Sequence, residues 1–88
     1  MYSEEKFNDY FESICLNSSS IEEVAEQLTA GDIIAISYFT DWDEEKLLKE
    51  DKRNTIYLYA LRLLFLYEDR HALFDFLHCL NPYLAKAE

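Results

Sequence analysis

The 88-residue chain has one glycine, one proline and two cysteines, and its 8 lysines and arginines face 18 aspartates and glutamates. Each shortage excludes something. So little glycine and proline argues against an all-β domain, which needs a turn residue every ~8–12 positions. The cysteines, Cys15 and Cys79, lie far apart with no CxxC spacing, so they read as two reduced, partly buried thiols and not as an exported disulfide scaffold. No glycine-rich loop exists to cradle a phosphate. The longest apolar run, residues 56–67, is broken by Arg62 and falls short of the ~20 residues that span a bilayer. The start, Met1-Tyr2-Ser3-Glu4-Glu5, has neither a basic region nor an apolar stretch, so no signal peptide is expected and a cytoplasmic location is. The net charge of −10 disfavours direct contact with nucleic acid or an anionic membrane surface.

What is present is apolar bulk. Half the residues are hydrophobic and 14 are aromatic, too many for a disordered acidic tail. The length suits a single helical domain, 1–88, although one this small buries only ~60–65% of its unfolded surface.

The apolar spacing is helical. Ser3 caps a first helix to about Leu16, with Phe7, Tyr10, Phe11 and Ile14 on one face. Ser20 and Glu23 form a capping box for a second, in which Ile21, Val24, Ala25 and Leu28 repeat the pattern. Gly31 is expected to close this second helix and Asp32 to cap a third segment. Residues 33–39, rich in isoleucine, suit a buried strand or a short buried helix; no second credible strand exists to pair with, which favours the helix. Ten of the thirteen residues from Asp41 to Arg53 are charged, predicting a surface helix capped at Thr40 or Asp41 and anchored by Trp42. Asn54 or Thr55 opens a helix near 55–68 that is apolar on nearly every side, the pattern of a central helix. Asp69 caps a last one with Leu73, Phe76, Leu77 and Leu80 inward, and Pro82 ends it. The expected fold is all-α, a compact bundle of about five short helices.

The charge is unevenly placed. Residues 1–45 hold twelve acids and one base, a net −11, while residues 46–88 sum to +1. Glu5, Asp9 and Glu12 share one stripe of the first helix, and Glu22, Glu23 and Glu26 cluster on the second. Carboxylates one turn apart are ~6 Å apart along the axis, a coarse imitation of phosphates advancing ~3.4 Å each along a strand. Two accounts stay open. The acids serve capping and solubility, or they form a surface for a basic partner.

Other constellations are weaker. His71, Asp75 and His78 fall at i, i+4 and i+7 with Cys79 to one side, a spacing open to a metal. That face lies opposite the leucine stripe, and a surface His71–Asp75 pair explains it as well, so no metal or other cofactor is expected. Asp41 to Glu45 suggests a calcium loop, but Lys46 and Lys52 stand where loop glycine and glutamate are required. No nucleophile–base pair is supported, and the chain reads as a non-enzyme. Tyr57, Tyr59, Leu66 and Tyr67 form a candidate apolar partner face, because a small bundle cannot easily cover every side of that helix; a homodimer or a hetero-complex is the expected result.

The chain therefore reads as a protein-binding regulator or inhibitor that docks its acidic helices on a basic partner surface, such as a nucleic-acid groove. The alternative is a structural adaptor or secretion-type chaperone that binds through 56–67. In character the chain resembles the small acidic inhibitors and immunity proteins of phages and mobile elements, a resemblance of type that assigns no residue a role.

Overall fold

A computed structural model describes residues 3–67, 70 and 72–78. These residues form six helices and no strand: α1 (Glu4–Leu16), α2 (Ile21–Gln27), α3 (Ala30–Thr40), α4 (Glu44–Lys49), α5 (Lys52–Leu66) and α6 (Ala72–His78). The all-α bundle is as expected, with one more helix. The Asp69 cap and the Pro82 stop lie outside the described residues.

Short polar side chains start the helices. Ser3 Oγ accepts the Lys6 amide at 3.2 Å, and Ser20 Oγ accepts that of Glu23 at 3.2 Å, each meeting one of the free N–H groups of a first turn. Glu23 does not reach back to the Ser20 amide as a capping box requires. Its carboxylate takes the Ser19 amide at 3.1 Å and the Ser19 hydroxyl at 2.6 Å. These bonds hold the Glu23 carboxyl below the usual carboxylate range.

The complete capping box is at α3, and it corrects the expected boundary. Thr29 is the N-cap; its Oγ1 accepts the Asp32 amide at 3.2 Å while Asp32 Oδ2 accepts the Thr29 amide at 2.9 Å. Asp32 is thus the third helical residue and not the cap. Gly31 lies inside the first turn of α3 with no positive φ, so it closes nothing. Leu28 ends α2 in extended geometry, and Lys52 Nζ donates to its carbonyl at 2.6 Å, a cation on the negative end of a helix.

Residues 33–39 are helical, as the lack of a partner strand predicts. The left-handed turn lies at Asp41, φ 64°, whose amide donates to the Ser37 carbonyl at 2.9 Å. The charged stretch 41–53 is not one helix. Asp43 caps the short α4, and Asp51 caps α5, which begins at Lys52, two to three residues before the expected Asn54 or Thr55.

The core draws on all six helices: Phe7, Phe11 and Cys15 of α1, Ile21 and Val24 of α2, Ile33 and Ile36 of α3, Leu47 of α4, Ile56, Tyr59, Ala60 and Leu63 of α5, and Leu73, Phe76 and Leu77 of α6. Helix α5 packs on α2, α4 and α6, α1 packs on α2 and α6, and α3 packs on α4. The apolar helix therefore takes the central place its composition predicts. Each fully buried leucine, isoleucine or phenylalanine contributes about 1.5–3 kcal/mol by leaving water.

Candidate functional site

Two surfaces were expected to carry function, and the packing changes both. The acidic one is partly consumed internally. Arg70 is 8% exposed, and its Nη1 lies 2.8 Å from both Asp9 Oδ1 and Glu12 Oε1. Burial opposes the guanidinium charge, but the two carboxylates more than offset it and hold the group above its usual value. Asp9 keeps 64% of its side chain in solvent, whereas Glu12 keeps 17%; Glu12 therefore belongs to the fold more than to a docking stripe. Glu4 is bound likewise, by Arg62 Nη1 at 3.5 Å and by the Tyr67 hydroxyl at 3.1 Å. Burial and that bond raise the Tyr67 phenol.

The remaining acids divide by helix position. Glu23 and Asp43 support helix starts, and Asp32 also accepts the Tyr10 hydroxyl at 3.0 Å. Glu5, Glu22, Glu26, Asp41, Glu44 and Glu45 are exposed, and their carboxylates pair with nothing among the described residues. Of the six acids singled out in the sequence, three thus stay unpaired: Glu5, Glu22 and Glu26.

The apolar surface needs a clearer correction. Tyr59 is fully buried and cannot lie on a partner face. Its ring meets Phe11 edge-on at 5.0 Å and Phe7 at 5.8 Å, and its hydroxyl donates to Asn8 Oδ1. Burial, with the Glu4 charge adding to it, pushes the phenol well above its ordinary value. Thr55 Oγ1 is buried nearby on the same helix with no partner among the described residues. Tyr67 is half-buried and tied to Glu4. Leu66 is 56% exposed. Tyr57 is half-buried against a groove.

That groove, about 450 Å³, opens between α5 and α6 and is lined by Tyr57, Leu61, Leu64 and Phe65 of the first and Phe74, Leu77 and His78 of the second. Phe65 is 82% exposed and Phe74 62%, and Phe74 stacks on His78 with ring centroids 6.4 Å apart. The sequence named the run 56–67 but singled out Tyr57, Tyr59, Leu66 and Tyr67, of which only Tyr57 lines the groove. Phe74 carried a readable signal, since it falls off the inward stripe of α6 and is still aromatic.

Little else offers chemistry. Cys15 is a free, buried thiol raised well above its ordinary value, first by burial and then by the Glu12 charge, which makes it a poor nucleophile. No three metal-ligating side chains cluster among the described residues. Asp75 and His78 are exposed, while His71 and Cys79 lie outside the described set. No described helix is long and apolar enough to cross a membrane. No protein-family model, curated protein or solved structure matches this chain.

Proposed function

We propose that the protein is a small acidic protein-binding regulator, an inhibitor in type, that docks on a basic surface of a partner protein such as a nucleic-acid-binding groove. One observation carries this reading. After the internal ion pairs have taken their share, Glu5, Glu22, Glu26, Asp41, Glu44 and Glu45 remain exposed, with carboxylates unpaired among the described residues. Helix position accounts for where five of them stand, Asp41 as the C-cap of α3 and Glu5, Glu22, Glu44 and Glu45 in first turns, but no internal partner among the described residues neutralises any of the six. A field of that sign steers a basic partner and makes association fast and salt-sensitive.

The test starts from a partner captured on the tagged chain from its host and eluted in salt steps. Reversing Glu5, Glu22 and Glu26 to lysine breaks no internal bond among the described residues and costs about 0.3–1 kcal/mol each in the first turns at Glu5 and Glu22, so the fold is expected to hold, with circular dichroism as the check. The association rate with that partner is expected to fall about tenfold or more, with a flatter salt dependence. Binding indifferent to both charge reversal and salt overturns the reading. A second reading, an adaptor or secretion-type chaperone that binds through 56–67, is supported by the exposure of Phe65 and Leu66. It predicts capture that survives salt and fails on Leu66→Ala.

A further inference from the structure

We infer that the α5/α6 groove is a self-association surface, occupied by the same groove of a second copy of this chain. This inference stands apart from the acidic docking reading. The patch holds a protrusion and a hollow side by side: Phe65 stands 82% exposed at the edge of a hollow of about 450 Å³, with Phe74 62% exposed on the other wall. A two-fold interface requires a patch to complement itself. A ring beside a hollow that accepts a ring meets that need, because the axis that seats one Phe65 in the partner copy's groove seats the other in return.

Charge favours a second copy at this place over any other place. A chain of net −10 repels its own kind. Yet none of the groove's lining residues is an acid. Asp75, exposed and next to Phe74 on α6, is the described acid nearest this patch in sequence, whereas none of the unpaired acids of α1, α2 and α4 lines it. The area also suffices. Phe65, Phe74 and Leu58 (45% exposed) together present on the order of 400 Å² at ~200 Å² per large side chain. A standard interface buries ~800 Å² on each partner, about 65% of it apolar in homodimers. The half-buried Tyr57, Leu61 and Leu64 supply the remainder.

The experiment is sedimentation or light-scattering mass of the full chain from about 0.1 to 100 µM, with far-UV circular dichroism as the check on folding. The expected result is a reversible shift from the 10.5 kDa chain mass to twice that value. Phe65→Ser and Phe74→Ser are each expected to weaken the dimer at least about tenfold with helicity unchanged, since both side chains are largely in solvent. Tyr38→Ser, 63% exposed on α3, leaves it intact. A single-chain mass at every concentration overturns the inference. Apolar-dye binding by such a monomer points to a different protein as occupant, and its absence points to residues 79–88 of the same chain. A dimer that persists in both phenylalanine variants overturns the groove as its interface.

Discussion

Helices α1 and α6 both meet α5, but the two seams differ in kind. The α1/α5 seam is closed by contacts of fixed geometry: Tyr59 is wedged edge-on against Phe7 and Phe11, its hydroxyl is held by Asn8, and Glu4 is gripped by Arg62 and Tyr67. The α5/α6 seam is apolar and open on its outer side, with Phe65 and Phe74 facing water. Directional bonds fix one register and leave nothing for a partner. Non-directional apolar surface accepts whatever shape fits. The polar contacts thus lie in the seam that fixes the fold, and the exposed apolar area lies in the other.

The sharpest way to break this contrast is one truncation made in each seam. Phe11→Ala removes a fully buried ring and is expected to cost about 3–5 kcal/mol, a large share of the roughly 4–13 kcal/mol that holds a chain of this length. Phe65→Ala, in dilute monomer, is expected to stay within about 0.5 kcal/mol. Urea unfolding followed by circular dichroism compares them, and equal losses would erase the distinction.

Tyr59→Phe probes the polar part of the closed seam. It leaves Asn8 Oδ1 buried without its donor, at an expected cost of about 1–3 kcal/mol. It also has a pH signature. The folded-state phenol is raised, so its contribution is whole below the unfolded value of ~10 and is lost as pH rises from there through the folded one. Wild type should lose stability on the alkaline side more steeply than the phenylalanine variant in thermal melts at stepped pH.

The smallest contrast lies within one ion-paired cluster. Glu12→Gln takes the more buried carboxylate from Arg70, with an expected loss of about 1–3 kcal/mol. Asp9→Asn removes a solvent-exposed partner at the same 2.8 Å and is expected to cost under ~1 kcal/mol. Similar losses would mean that distance, and not burial, sets the strength of these pairs.

Legibility in the sequence divides along the same line. Local features were legible: the Ser3 and Ser20 caps are set by residues three positions away, and the central place of residues 56–66 comes from apolarity all round. The grip of Arg62 and Arg70 on α1 was not, because both arginines reach carboxylates 58 positions away and no helical period encodes such a contact. Tyr57 and Tyr59 could not be ranked for the related reason that a helix apolar on every side points no face inward. The start of α3 was misplaced by Gly31, since a glycine after an apolar stripe imitates a helix end, while the Thr29–Asp32 box reads the same way with the boundary moved. The acidic surface was legible as a total, but its division into gripped and free carboxylates required the tertiary fold.

Gly31 and Asp41 together carry a last consequence. The only glycine of the chain sits inside α3, where an added Cβ would meet nothing closer than Thr29 Oγ1 at 3.5 Å. The one residue with positive φ among those described is an aspartate. Backbone freedom is placed where it is not used and is missing where it would help. Gly31→Ala is expected to add about 0.5–1 kcal/mol and Asp41→Gly a few tenths to about 1 kcal/mol. Thermal melts should rise by roughly 4–8 °C for each kcal/mol gained. The fold therefore has headroom that its sequence leaves unclaimed, and Gly31→Ala, which removes no exposed acid and no groove side chain, gives a sturdier background for altering either exposed face.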